Sequence, residues 1–233
     1  MAVQAPSPAR GTSWSVRFRL GLALSVLLVI AGTVLVGELP AGMGDFDAAV
    51  AAGRVHAVRL VGDLPAGVSG SSLVELHWRD RSISRVGQVR QIVSDGPVPP
   101  GSSSGERVVV GDLVAALSSA HPGLAVTSGA GAFSTGLRGT VLGWQVPGWI
   151  VLAHALAWLV TLAFLINGPE PWRATRWAWF WIIANPLGAI GALAFLLLSG
   201  PTPLLPAARP GGRRLHGGWA FLLATVVSGP WRQ

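Results

Sequence analysis

Three long apolar segments constrain this chain more than any other feature of its sequence. They cover residues 20–36, 149–167 and 177–199. A helix needs about 20 consecutive apolar residues to cross the hydrocarbon core of a bilayer, which is roughly 30 Å thick. With its flanking residues, each segment reaches that length. The sequence therefore predicts an α-helical membrane protein with three transmembrane helices and a small α+β extracytoplasmic domain between the first two.

Composition and charge agree with burial in lipid. The hydrophobic share is 51% and the mean hydropathy is +0.54. The net charge is +7, yet residues 37–146 carry eight Arg against nine acidic side chains, so that part is close to neutral. The other nine Arg flank the apolar segments, where they suit anionic headgroups. The bilayer is therefore a predicted partner and nucleic acid is not.

The first segment has the features of an uncleaved signal-anchor. It follows a basic stretch, residues 1–19, that contains Arg10, Arg17 and Arg19. A cleaved signal peptide is the alternative, but its apolar part usually has about 7–15 residues and ends at a small-x-small site. Residues 36–45 offer no clear site of that kind. We therefore expect the segment to stay and to anchor a bacterial envelope protein.

The second and third segments are predicted to form an antiparallel hairpin, because the linker 168–176 is too short for anything except a tight reversal. Pro186 lies inside the third segment, where its missing amide hydrogen should kink the helix. The tail, residues 200–233, is rich in Arg, Gly and Pro. It contains a short apolar stretch, 219–227, that cannot span a membrane.

Residues 45–128 are predicted to form the small α+β domain. Asp45 can cap a short helix. Alternation of apolar and polar side chains over 55–61 and 73–79 predicts a β-hairpin. A third strand (83–93), a second helix (112–121) and a short strand (124–126) follow, and residues 129–148 are predicted as a Gly-rich tether.

Part of this domain resembles a known family. The run from Gly44 to Gly62, GDFDAAVAAGRVHAVRLVG, and the run from Asp112 to Leu117, DLVAAL, stand in the order found in the extracytoplasmic domain of the FtsH membrane protease family. In that family an ATPase and a zinc protease follow the second span. This chain has neither a Walker loop nor a His-Glu-x-x-His motif. The resemblance implies a substrate-contacting or assembly module without protease activity.

The third apolar segment resembles a second family. Its Trp-rich start at Trp177, the run Asn185-Pro186-Leu187-Gly188 and the run Leu196-Leu197-Leu198 are similar to the membrane hairpin that precedes phospholipase D-type enzymes such as cardiolipin synthases. The tyrosine usual in that pattern and any catalytic domain are missing here.

The distribution of Arg residues bears on the orientation of the chain in the membrane. With the N-terminus inside and three spans, five Arg lie inside and five outside when Arg138 is counted, so charge alone does not decide. The three Arg before the first segment favour a cytoplasmic N-terminus and an extracytoplasmic domain in a multi-pass plasma-membrane protein. The Arg-rich tail then lies outside, unless the third segment re-enters at Pro186 instead of crossing.

Three intramembrane residues are candidates for function, because polar groups are costly in hydrocarbon. They are His154, Asn185 and Pro186. A hydrogen bond to a neighbouring helix is the structural alternative for His154, and satisfying a carbonyl freed by Pro186 is the alternative for Asn185.

The soluble domain offers a weaker candidate. Trp78, Arg79 and Arg81 form an aromatic and charged turn that could contact a partner, with a solvated hairpin end as the alternative. His56 and His77 could lie on adjacent strands, but two His without a third ligand do not predict a metal site. No catalytic residues, metal ligands or cofactor-binding residues are predicted.

The sequence thus favours a non-enzymatic, membrane-anchored accessory protein whose extracytoplasmic domain binds another membrane or envelope protein. The alternative is a subunit of a membrane enzyme or transporter that uses His154 and Asn185 along a polar path.

Overall fold

The computed structural model describes residues 11–65, 67–94, 107–129, 137–171, 173–185 and 188–200, together with Gly218 and Thr225. The chain forms two compact units. We call Val36–Gly148 the sheet unit, and Met1–Leu35 with Trp149–Gln233 the helical unit. Most of the tail, including nearly all of 219–227, and the first ten residues lie outside the described part.

The elements of the sheet unit are β1 (Leu39–Pro40), α2 (Met43–Ala51), β2 (Ala57–Val61), β3 (Gly70–Asp80), β4 (Ile83–Val93), β5 (Val108–Val110), α3 (Leu113–Ala120), β6 (Ala125–Gly129), β7 (Arg138–Val141) and β8 (Trp144–Pro147). Those of the helical unit are α1 (Gly11–Val36), α4 (Gly148–Asn167), α5 (Arg176–Ile183) and α6 (Gly188–Leu198).

A mixed sheet forms the centre of the sheet unit, in the order β1-β4-β3-β2-β6, with β5 also pairing β4. Strands β2, β3 and β4 are antiparallel neighbours, whereas β1, β5 and β6 run parallel to their partners. The predicted hairpin is confirmed, since Val58 pairs with Trp78 and Leu60 with Leu76. The period-2 alternation sends these four side chains to one face.

Both helices of the sheet unit pack on that face. Phe46 of α2 and Leu113 of α3 are 0% and 1% exposed and belong to one core with Leu60, Leu76 and Trp78. The Phe46 and Trp78 rings meet edge to face with centroids 5.1 Å apart. One face of the sheet is therefore covered by helices, and the alternate side chains of the same strands point to the other face.

The segment predicted as a tether contains regular structure. Strands β7 and β8 form a two-stranded antiparallel hairpin, with Val141 opposite Trp144. The turn residues Leu142 and Gly143 both have positive φ, 52° and 82°. That combination is a type I′ turn, which matches the twist of paired strands.

Two helices are long and apolar enough to cross a membrane. They are Trp14–Val36 within α1, with 23 residues, and all of α4, with 20. Only 22% and 17% of their apolar windows are buried inside the protein, whereas the core helix of a soluble domain is mostly buried. The first and second predicted segments therefore meet the requirements of length and composition for spanning.

The prediction of three transmembrane helices is wrong. Among the described residues there are six helices, and only two qualify as spans. The third apolar segment is divided into α5, with 8 residues, and α6, with 11. At 1.5 Å per residue these helices measure about 12 and 17 Å, well short of the hydrocarbon core.

Helices α5 and α6 pair side by side and run antiparallel. Gly191 approaches the carbonyl of Ile182 so closely that a Cβ there would collide with it. Further along the pair, the rings of Trp179 and Phe195 lie 5.5 Å apart. The sequence position of Pro186 explains the break, because proline cannot continue a helix, and the missing side chain of Gly191 explains the close approach.

Polar contacts fix the start of α5 and the end of α6, which lie together at the end of the helical hairpin opposite its turn. Where α5 begins, Arg176 donates to the carbonyls of Ile166 (2.7 Å) and Gly168 (2.8 Å) at the end of α4. Where α6 ends, the buried Arg19 of α1 donates to the carbonyl of Leu196 at 2.9 Å and to Ser199 Oγ at 3.1 Å.

The turn between the two helices lies against the middle of α4, where Trp158 Nε1 donates to the carbonyl of Ile183 at 3.1 Å. Trp158 is ten residues from the start of α4, about 15 Å along its axis. Thus α5 runs back along α4 for about half the length of that helix, and α6 returns.

Candidate functional site

A charged cluster occupies the helix-free face of the sheet. In β3, Leu76 and Trp78 point to the core, so Glu75 and His77 must point to the opposite face. Arg59 of β2 pairs with His77 and lies on the same face. The alternation that builds the core therefore also brings a carboxylate, an imidazole and a guanidinium together.

Two residues distant in sequence complete the cluster. Glu38 pairs with Gln145 of β8 through two backbone hydrogen bonds of 2.8 Å, which fix its position just before β1. Arg138 is the first residue of β7. We call Glu38, Arg59, Glu75, His77 and Arg138 the His77 cluster.

The imidazole of His77 lies between two carboxylates. Its Nδ1 is 2.9 Å from Glu38 Oε1, and its Nε2 is 3.4 Å from Glu75 Oε2. Arg138 Nη1 is 3.5 Å from one oxygen of each carboxylate. The His77 side chain is 7% exposed, whereas the Glu38, Glu75 and Arg138 side chains keep 23%, 24% and 32% of their surface. The cluster is thus buried at its centre and open at its rim.

The surrounding charges act on Glu38. Burial raises the pKa of this carboxyl, but the hydrogen bond with His77 and the charges of His77, Arg138 and Arg59 lower it by more, so its pKa lies below the ordinary value. Glu38 is therefore a carboxylate at neutral pH.

The His77 ring has a carboxylate near each of its two nitrogens. Its Nδ1 is engaged by Glu38, whereas its Nε2 is buried and makes no hydrogen bond in the described part of the chain. In the described part of the chain, no group of three His, Asp or Glu could hold a metal ion.

A cavity of about 290 Å³ adjoins the cluster. Glu38, Arg138 and Gln145 supply its polar wall, while Val36, Leu137 and Pro147 contribute apolar surface. Leu137 is 87% exposed at this place. The cavity therefore combines one charge of each sign with an apolar rim.

The predicted interaction turn is only partly at the surface. Trp78 is 4% exposed and belongs to the core, so it cannot contact a partner. Arg79 and Arg81 are exposed on either side of a buried Asp80. That carboxylate lies 3.6 Å from Arg54 Nε and 3.5 Å from Arg85 Nε. The alternation of β3 explains the error, because a residue next to an exposed Arg faces the core.

The intramembrane candidates belong to the helical unit. His154 is half-buried and lines a small cavity of about 10 Å³ with Val26, Trp158 and Ala189. That volume holds about one water molecule. Asn185 is half-buried in the turn between α5 and α6, where its backbone carbonyl accepts a hydrogen bond from the Gly188 amide at 2.8 Å. Pro186 lies outside the described residues.

Sequence reasoning missed Glu38, Glu75 and Arg138. For Glu75 a signal was present, because it stands two residues from His77 in an alternating strand and must share its face. For Glu38 and Arg138 there was none, because they lie 39 and 61 residues from His77 in the chain.

No protein-family model, curated protein or solved structure matches this chain.

Proposed function

We propose that this protein is a membrane-anchored accessory protein that crosses the plasma membrane twice and binds an acidic envelope protein on the helix-free face of its sheet. The observation that carries the proposal is the asymmetry of the sheet. Helices α2 and α3 cover one face, whereas Arg59, Leu73 and Arg79 remain exposed on the other.

The chemistry of this face indicates the partner. We call Arg59, Leu73, Arg79 and Gln88 the open face. It carries two guanidiniums and one apolar side chain, Leu73, which is 42% exposed and lies six residues along β3 from Arg79. Arg is enriched at protein interfaces because its planar group binds carboxylates through two hydrogen bonds and also packs on apolar surface. An acidic protein surface is the partner complementary to these two guanidiniums.

The Arg distribution supports a topology with two spans and both termini in the cytoplasm. If α1 and α4 cross and the α5–α6 hairpin re-enters, every Arg outside the sheet unit lies on one side of the membrane. They are Arg10, Arg17, Arg19, Arg173, Arg176, Arg209, Arg213, Arg214 and Arg232. The positive-inside rule assigns that side to the cytoplasm and the sheet unit to the exterior.

Site-specific photo-crosslinking in native membranes tests the partner. A photo-reactive residue at Gln88, on the open face, should give a stoichiometric adduct with one acidic protein. The matched control carries it at Ser118, exposed on α3. Arg59→Glu should abolish the Gln88 adduct by placing like charges together. Equal adducts from both positions, or an adduct that survives Arg59→Glu, contradict the proposal.

Reporter fusions after Gly105 and after Gln233 test the topology separately. We expect Gly105 outside and Gln233 in the cytoplasm, whereas three crossings would put Gln233 outside. A cytoplasmic Gly105 would overturn the orientation.

A second candidate function rests on His154. It lines the small cavity beside Trp158, the residue that binds the turn of the re-entrant hairpin. Intramembrane polar groups at broken helices occur in transport pathways. Loss of transport or activity in His154→Ala, with assembly of the complex intact, would favour a transporter or enzyme subunit over an accessory protein.

A further inference from the structure

The cavity beside the His77 cluster is joined by the chain to both candidate spans. Val36 is the last residue of α1, and Pro147 directly precedes the first residue of α4. A helix that crosses a bilayer ends where the hydrocarbon gives way to the headgroup layer. Given the proposed membrane anchoring, on which this inference rests, residues adjoining both helix ends lie in that layer.

The polar wall of the cavity carries both signs of charge. Glu38 is an ionised carboxylate, and Arg138 is a guanidinium that is 32% exposed. A purely anionic ligand would face Glu38, and a purely cationic one would face Arg138. The site therefore suits a ligand that itself carries one positive and one negative group.

Both charged groups keep binding capacity. Arg138 Nη1 meets Glu38 Oε2 and Glu75 Oε2 at 3.5 Å each, at the outer limit of a hydrogen bond. A guanidinium has five N–H donors and binds phosphate well through two of them. Within the part of the chain that the structure describes, Glu38 Oε2 has only this long contact, so it can accept from an ammonium group.

The size and the rim of the cavity indicate part of a lipid. At about 290 Å³ it lies close to the lower limit of small-molecule sites, which measure about 300–1,000 Å³, so its volume suits a headgroup better than a whole lipid. Beside it, Leu137 is 87% exposed. An exposed leucine in the headgroup layer can contact the first methylenes of an acyl chain.

We infer that this cavity binds the headgroup of an aminophospholipid, a phosphodiester that carries a primary ammonium. The phosphate binds Arg138 and the ammonium binds Glu38. A headgroup with a trimethylammonium keeps the positive charge but has no N–H to donate to Glu38, and an uncharged glycerol headgroup supplies no cation to Glu38 at all. The affinity order is therefore ethanolamine, then choline, then glycerol headgroups.

Native mass spectrometry of the full-length protein in detergent tests this assignment. Phosphatidylethanolamine, phosphatidylcholine and phosphatidylglycerol with identical acyl chains are titrated separately. We expect phosphatidylethanolamine to bind at least about tenfold more tightly than phosphatidylglycerol, because the latter loses one charge-assisted hydrogen bond. Arg138→Gln should weaken its binding about tenfold, and Glu38→Gln should remove the preference for ethanolamine over choline. The control Arg107→Gln removes the same charge from another carboxylate-paired Arg of the sheet unit and should leave lipid binding unchanged.

Leu137→Ser keeps the inference testable if the charge variants do not fold, because this side chain is almost fully exposed. It should weaken phosphatidylethanolamine binding several-fold. Water-soluble phosphoethanolamine should bind far more weakly than the lipid. Equal binding of the three lipids, undiminished phosphatidylethanolamine binding in Arg138→Gln, an unchanged preference for ethanolamine over choline in Glu38→Gln, or equal binding of phosphoethanolamine would each overturn the inference. The reporter fusions after Gly105 and Gln233 test the membrane anchoring independently. A failure of the proposed anchoring can therefore be distinguished from a failure of the lipid-binding inference.

Discussion

Replacing Glu38 by Gln should destabilise the part of the sheet unit that holds β1 against β4, and the structure gives the size of the effect. The Glu38–His77 contact of 2.9 Å joins side chains that are 23% and 7% exposed. A hydrogen bond to a charged group contributes about 1.5–3 kcal/mol when it is largely shielded from water. The Arg138 contact, at 3.5 Å and 32% exposure, adds less than about 1 kcal/mol.

Glutamine keeps a carbonyl oxygen that His77 can still approach, so part of the interaction survives. We expect Glu38→Gln to cost about 1–2 kcal/mol at pH 7, which corresponds to a factor of about 5–30 in local opening. Hydrogen exchange in the full-length protein measures this. The Ala41 amide donates to the Val86 carbonyl at 2.9 Å, next to the β1–β4 pairing, and should exchange faster by that factor.

The effect should depend on pH in a defined direction. The pKa of Glu38 is lowered in the folded protein, so its contribution to stability is present above the unfolded pKa of about 4.3 and is lost as pH falls through the folded pKa. Glutamine has no such contribution. The ratio of exchange rates between variant and wild type should therefore be largest near neutral pH and fall towards one below the folded pKa of Glu38.

Asp47→Asn is the matched control, because it makes the same change of charge in an exposed pair. Asp47 lies 2.7 Å from Arg107, with side chains 34% and 48% exposed, and such pairs contribute about 0–1 kcal/mol. It should leave exchange at Ala41 unchanged. Unchanged exchange at Ala41 in Glu38→Gln at pH 7, or a ratio that stays constant on acidification, would refute the reasoning.

Three further substitutions test the fold around the sites. Phe46→Ala should lower the free energy of unfolding of the sheet unit by about 3–5 kcal/mol, because the ring is 0% exposed and packs against Trp78. Amide exchange throughout the sheet unit should accelerate, and a change confined to α2 would contradict a shared core. Asp112→Ala removes the side-chain acceptor at the start of α3 and should cost about 1 kcal/mol, seen as faster exchange in the first turn of that helix alone. Gly191→Val should separate α6 from the Ile182 carbonyl and accelerate exchange in α5 and α6 while leaving α3 unchanged; normal protection would mean that the helices do not pair through this glycine.

The sequence by itself determined the elements whose pattern is local. Apolar length predicted α1 and α4, because hydropathy alone decides whether a helix can lie in hydrocarbon. Alternation predicted the β2–β3 hairpin, because a half-buried sheet must send successive side chains to opposite faces. The near-neutral charge of the region between the spans was equally a property of composition.

Local pattern failed where a backbone conformation was unusual for its residue. The β7–β8 hairpin turns at Leu142, with φ of 52°, a position where Asn or Asp is the common signal. Nothing in the sequence separated this hairpin from a flexible Gly-rich tether.

Pro186 predicts a break in the third apolar segment, whereas tertiary contacts decided the two features on which the proposed function depends. The apolar character of residues 177–199 is the same whether a helix continues or reverses, and the reversal is held by partners far along the chain, Trp158 on Ile183 and Arg19 on Leu196. The His77 cluster joins Glu38 to Arg138 across 100 residues. Sequence periodicity fixes which face a side chain takes, whereas the neighbour it meets on that face is set only when distant elements pack together. For the same reason, three apolar segments became two candidate spans and a helical hairpin.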